Sequence, residues 1–255
     1  MEIRFNIFLF HALYFMEVAY ICNMEIFKDL YNLFSHPQEI KPIVSLKDGI
    51  SVFGKAILIY LLLLTLYIPI SILILFFRKI GFELPPYGGG SMQNIVSIYG
   101  QYAFCVLVII GPLFEELMFR LPLIIKRSNL ITASFCGIVY CCFQFLFGWS
   151  FLFFILTLVL LICLIIAVTL NESKINSFRI HYTKHVFYCS NIIFLLLHLS
   201  NFAFLEIRTL FICILNLLPV LFLSICASYL RFKAGFIYGV IWHCGINFLF
   251  YLVHS

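Results

Sequence analysis

The sequence predicts an all-α, polytopic transmembrane helix bundle of seven spans, with an N-terminal segment that reads as an eighth span or as an interfacial helix. Three observations lead there. The chain of 255 residues is 64% hydrophobic and 11% charged, with a mean hydropathy of +1.11, whereas soluble domains are nearer half apolar and a quarter charged. Apolar runs of the ~20 residues that a bilayer crossing requires recur along its length and leave no room for a separate soluble domain. Of the 16 Lys and Arg, only Arg78, Lys79 and Arg208 fall outside one alternating set of loops. That bias predicts that the basic loops and the N-terminal region face the cytoplasm.

The elements follow in order. Residues 1–23 are apolar but interrupted by Arg4, His11 and Glu17, and they lack the pattern of a cleavable signal peptide. Residues 24–50 mix charge with aromatics, as a membrane-surface helix does. We therefore divide the chain into 1–50, a membrane-surface or partly spanning segment, and 51–255, a transmembrane domain. Its spans are expected at 52–77, 93–119, 130–148, 150–170, 186–204, 209–229 and 234–253. The stretch "ELPPYGGGS", 83–91, reads as a turn-rich connector, since no phosphate-binding GxxxxGK[ST] pattern is present. The stretch "NESKINSFRIHYTKH", 171–185, reads as a polar loop.

Several functions are disfavoured by composition. The net charge of +5 is scattered through short loops with no basic stripe, so no nucleic-acid partner is expected. The ten cysteines have no metal-knuckle spacing and lie mostly in apolar runs, where they serve as small packing residues. The abundance of Phe, Ile, Leu and Tyr suggests an AT-rich bacterial genome, and hence an inner-membrane protein.

Ionisable groups inside spans are rare and mark function or a partner. Three spans carry them. "GPLFEELMFR" supplies Glu115, Glu116 and Arg120; "FLLLHLSNF" supplies His198; "IWHCGINF" supplies His243 and Asn247. Glu116 and Arg120 are i,i+4 and can pair on one face. Glu115 is rotated from Glu116 by about 100°, and its i+4 neighbour Phe119 cannot neutralise it, so a histidine from another helix is its expected partner. His243 and Asn247 also share a face. Separately, an ion pair, a hydrogen-bonded histidine and an interhelical amide are ordinary structural features. Together, a carboxylate, two imidazoles and an amide make a general-base and oxyanion set.

"EELMFR", "FLLLH" (Phe194 to His198) and "HCGIN" (His243 to Asn247) resemble the EExxxR, FxxxH and HxxxN motifs of the CAAX-protease and bacteriocin-processing (CPBP, or Abi) family of intramembrane proteases. The resemblance covers about 105–253 and rests on motifs at 115–120, 194–198 and 243–247. The gap from Glu115 to His198 is longer than in the prenyl-protein endopeptidase members, lengthened by the two spans at 130–170.

The resemblance implies an intramembrane endopeptidase that hydrolyses a membrane-associated peptide or protein. Glu115 and His198 would hold and deprotonate a water. His243 and Asn247 would donate to the oxyanion, each such donor being typically worth ~3–4 kcal/mol in the transition state. Glu116 and Arg120 would hold the helix end and tune Glu115, and Phe194 would pack one turn before His198. No cofactor is expected; the alternative is zinc held by Glu115, His198 and His243. Cys244, about 100° from the His243 face, is not expected to act as a nucleophile. In bacteria the implied roles are bacteriocin or peptide-signal maturation, self-immunity and regulatory cleavage. Two other classes compete: a non-catalytic immunity or scaffold protein of the same fold, and a transporter using Glu115 and His198 as a proton relay, which would call for an inverted repeat or paired broken helices not evident in the sequence.

Overall fold

A computed structural model describes residues 25–43, 45–82, 98–147, 151–202 and 207–254. The expectations for residues 1–23 and for the 83–91 connector lie outside these. The described chain is all-helical. Residues 25–35 form a short helix (α1). The other α-helices are α2 (Leu46–Lys79), α3 (Gly111–Phe119), α4 (Arg127–Phe147), α5 (Phe151–Thr169), α6 (Glu172–Leu197), α7 (Ile207–Asn216), α8 (Leu218–Lys233) and α9 (Phe236–His254).

Among the described residues, three helical segments are long and apolar enough to cross a bilayer: Lys47–Lys79, Gly100–Leu123 and Phe236–Val253. A fourth crossing results if α7 and α8, which meet at 41°, count as one bent span. These lengths are compatible with an integral membrane protein. The expected third, fourth and fifth spans correspond to α4, to α5 and to the second half of α6, which do not meet the same test over their described residues. The nine described cysteines are free thiols.

Local chemistry explains the boundaries. Ser45 caps α2 by accepting from the Asp48 amide at 3.1 Å, and Asp48 lies in the first turn, where the helix dipole favours a negative charge. At 34 residues, α2 is about 51 Å long and exceeds the ~30 Å hydrocarbon layer.

The expected polar loop at 171–185 is instead the first half of α6. Asn171 caps it through the Lys174 amide at 3.0 Å, Glu172 occupies its first turn, and no Gly or Pro interrupts 172–197. Polarity there marks an exposed helix and not a break. Ile175 and Thr183 are buried, while Arg179, Ile180 and Lys184 are exposed.

Packing sets the scaffold. Helices α4 and α5 pack chiefly on each other as a hairpin, and α4 also packs on α3. Helix α8 is the centre: α2, α6 and α9 all lie against it. Its residues from Leu223 to Leu230 are continuously buried, including Ser224 and Ser228. The largest cluster joins Ile225, Cys226, Tyr229 and Leu230 to Leu33, Ile59, Phe187 and Trp242.

One end of the bundle is tied by polar contacts. Asp29 of α1 accepts from Tyr229 at 2.7 Å and pairs with Lys233 at 3.2 Å. Arg231 donates to the Arg120 carbonyl at 3.1 Å, and Arg127 pairs with Glu172 at 3.2 Å. The basic segments before α2, after α3 and after α8 thus gather at the same end as α1.

Candidate functional site

The site begins with an irregularity in the chain before α3. Residues Cys105–Ile110 form a π-helical turn, in which Gly111 donates its N–H to Val106 five residues back. The next donor in that register, to the carbonyl of Leu107, would be residue 112. That residue is Pro112, which has no N–H. The amide of Asn247, on α9, donates to the Leu107 oxygen at 3.0 Å and replaces the missing bond. Asn247 therefore clamps α9 to the entry of α3, one turn before the two glutamates.

Glu115 and Glu116 follow on α3 and diverge as helical spacing requires. The Glu116 side chain is 0% exposed, and so is that of Arg120, which lies 3.8 Å away through Nε. This is an ion pair without a hydrogen bond. The guanidinium makes its hydrogen bonds elsewhere, to Ser224 at 2.7 Å and Ser190 at 3.4 Å. Ser190 donates to the Phe119 carbonyl at 2.6 Å, Ser224 donates to Asn191 at 2.6 Å, and Ser228 donates to the same Asn191 oxygen at 3.2 Å. Arg120 also lies 4.7 Å from the centre of the Phe194 ring.

His243 connects the two carboxylates. Its Nδ1 is 3.0 Å from Glu116 Oε1, and its Nε2 is 3.6 Å from Glu115 Oε2. An ionised carboxylate only accepts, so the Glu116 contact requires a proton on Nδ1 and leaves Nε2 facing Glu115. The second Glu116 oxygen, Oε2, is buried with no hydrogen-bond partner among the described residues. Gly239, one turn before His243, makes this approach possible: a Cβ there would stand 3.1 Å from that oxygen. Glu115 is the more open carboxylate, with 18% of its side chain exposed, and its Oε1 is 3.5 Å from the Tyr140 hydroxyl on α4.

The histidine of another helix that meets Glu115 is His243, while the ring Nδ1 of His198 bonds to the Phe194 carbonyl at 2.9 Å. Its ring lies against Phe194, with centroids 4.6 Å apart. His198 sits where α6 tightens into a 3-10 turn, His198–Asn201, so it borders the site through Phe194. That ring is the hub of the cluster, since Phe119, at 5.5 Å, and His243, at 5.7 Å, also meet it edge-on.

Asn247, expected beside His243 as a second oxyanion donor, has its amide directed at Leu107. Glu115, His198 and His243 do not form a metal-holding group, and no such group of three or more His, Cys, Asp or Glu occurs among the described residues.

Four polar residues in this site carry no motif: Ser190, Asn191, Ser224 and Ser228. Their available sequence signal is modest. Ser224 and Ser228 are i,i+4 within an apolar run, and Ser190 and Asn191 are small polar residues inside a span, a pattern of interhelical hydrogen bonding.

No family model matches the chain, and neither does any curated protein or solved structure.

Proposed function

We propose that the chain is a seven-span intramembrane endopeptidase, similar to the CPBP family, that hydrolyses a peptide bond of a membrane-associated peptide or protein. The observation that carries the reading is the convergence of Glu115, Glu116 and His243. Side chains from α3 and α9, far apart in the chain, meet with one carboxylate buried and one open. In this reading the buried Glu116 orients the imidazole through Nδ1, as a carboxylate orients histidine in other hydrolases. Glu115 is the general base. It takes a proton from a water whose oxygen adds to the scissile carbonyl carbon. The resulting oxyanion collapses, the C–N bond breaks, and the proton on Glu115 passes to the departing amine. His243, carrying a proton on Nε2 as well as on Nδ1, stabilises the oxyanion by donating from Nε2, and His198 borders the reacting groups beside Phe194. In this reading, which the loop-charge asymmetry supports, the basic end faces the bacterial cytoplasm and cleavage occurs near the inner face of the membrane. Bacteriocin or peptide-signal maturation, self-immunity and regulatory cleavage are the roles that match.

One observation favours a second reading. Both nitrogens of His243 face carboxylates, and the Asn247 amide is engaged with Leu107. A non-catalytic immunity or scaffold protein would need these groups only for such internal contacts. The two readings separate in the native host. If the chain is a protease, Glu115→Gln leaves its level in the membrane unchanged and makes uncleaved peptide accumulate in a comparison of membrane peptides against wild type. The purified protein then hydrolyses that peptide in the presence of a strong chelator, since water activation is assigned to Glu115 and not to a metal. A scaffold tolerates Glu115→Gln with no change in peptides or phenotype. Loss of hydrolysis on chelation with recovery on adding zinc would overturn the metal-independent mechanism.

A further inference from the structure

We infer that Tyr140 is a positioning residue for Glu115, supplied by the α4–α5 hairpin that lengthens the gap between the first two motifs. The inference rests on the reading of Glu115 as the base. Among the described residues, Tyr140 from α4 meets Glu115 with its side chain: its hydroxyl is 3.5 Å from Oε1, while His243 Nε2 is 3.6 Å from Oε2. The two carboxylate oxygens therefore have different neighbours. The phenol is a donor toward an ionised carboxylate, and the imidazole sits on the opposite oxygen. An open carboxylate with three rotatable bonds has several rotamers available; two partners on two oxygens select one.

The phenol is itself placed by packing. Its ring stacks on Phe114, the residue before Glu115, with centroids 6.4 Å apart and planes 27° from parallel. Helix α4 is held against α3 at that level by a close approach: a Cβ on Gly137, one turn before Tyr140, would stand 2.7 Å from Leu160 and 3.0 Å from Met118. Gly137 thus brings α5 and α3 to the same turn of α4, and Tyr140 projects from the next turn onto Glu115. The hairpin is in this account part of the catalytic apparatus and not a lipid-facing addition.

Tyr140→Phe removes the hydroxyl and keeps the ring stack, whereas Tyr140→Ala removes both. Full-length wild type and both variants, each with and without Glu115→Gln, are reconstituted in lipid nanodiscs. The infrared difference between each protein and its Glu115→Gln partner isolates the carboxylate stretch of Glu115. Tyr140→Phe is expected to shift that band while leaving the thermal unfolding temperature at the wild-type value; Tyr140→Ala shifts the band and lowers that temperature. The second arm uses a fluorogenic lipidated peptide cut by the wild type in a Glu115-dependent manner. There Tyr140→Phe lowers kcat by about tenfold with KM unchanged, the mark of an interaction felt in the transition state. A Glu115 band that does not move, or full kcat in Tyr140→Phe, overturns the inference. If the wild type cuts no peptide at all, the protease reading fails, and the infrared band alone decides whether Tyr140 positions Glu115.

Discussion

On the Nδ1 side of His243, Glu116 and Arg120 have no exposed side-chain surface, and Ser190, Asn191, Ser224 and Ser228 complete a buried polar network around them. On its Nε2 side, Glu115 keeps 18% of its side chain exposed and has two long contacts, at 3.5 and 3.6 Å. Adjacent residues in the chain thus occupy a sealed floor and an open rim. Burial makes the floor expensive to disturb, because a charge left unpaired in a low-dielectric interior keeps its desolvation cost. The rim is loosely held and can exchange its contacts for a substrate's. The difference teaches that one dipeptide can carry a structural and a chemical role, separated only by the helical rotation between its members.

The largest expected effect breaks the floor. Arg120→Ala removes the cation beside the buried Glu116, leaving it the His243 contact, and removes the donor to Ser224, so the unfolding free energy should fall by about 3–5 kcal/mol. Glu115→Gln, on the rim, should leave the unfolding transition nearly unchanged while abolishing hydrolysis. Thermal unfolding in nanodiscs, followed by tryptophan emission, reads both. If Glu115→Gln destabilises as much as Arg120→Ala, the division into floor and rim is wrong.

A smaller effect tests how closely α9 must approach the floor. In Gly239→Ala the new methyl stands 3.1 Å from Glu116 Oε2 and 3.4 Å from the Ala227 carbonyl. A carboxylate already fixed by His243 and Arg120 has little room to give, so the cost should be about 1–3 kcal/mol, as for other overpacked cores. Gly245→Ala on the same helix meets nothing within 4 Å and should be neutral or stabilising, by up to about 1 kcal/mol from helix propensity. Equal behaviour of the two variants would remove the argument that Gly239 exists to admit Glu116.

The local parts of this site are legible in the sequence in residue detail, and the long-range ones only as an expectation that a histidine of another helix meets Glu115, for a physical reason. The i,i+4 spacing alone put Glu116 and Arg120 on one face, and the apolar runs alone located α2, α3 and α9. Which histidine meets Glu115 depends on how α6 and α9 rotate against α3, and no periodicity within one helix encodes that rotation. The i,i+4 relation of Asn247 to His243 is visible in the sequence, but the need for its amide at Leu107 is not, since that arises only once Pro112 follows a π-helical turn. The polarity of 171–185 suggests a loop, whereas its Asn cap and the absence of Gly and Pro favour the helix that forms. Ser224 and Asn191 carry no charge and no motif, and their small-polar pattern does not by itself connect them to the acceptors that a buried Arg120 needs.

The smallest predicted effect separates the members of the buried network. Ser228 donates to Asn191 Oδ1 at 3.2 Å, but that oxygen also accepts from Ser224 at 2.6 Å, and Ser228 has a second acceptor in the Ser224 carbonyl at 3.0 Å. Ser228→Ala therefore leaves every neighbour with a partner and should cost about 0.6 kcal/mol, the average for an interhelical hydrogen bond in a membrane protein. Ser224→Ala is different, because the Ser224 hydroxyl both donates to Asn191 and accepts from Arg120 at 2.7 Å. Its loss leaves a buried guanidinium short of an acceptor, and its cost should exceed that of Ser228→Ala by about 1–2 kcal/mol. A double-mutant cycle with Arg120→Ala sharpens the comparison: Ser224 should couple to Arg120 and Ser228 should not. Equal coupling would mean that the four residues act as one undivided unit, and that the floor is anchored by the network as a whole and not through the single contact between Arg120 and Ser224.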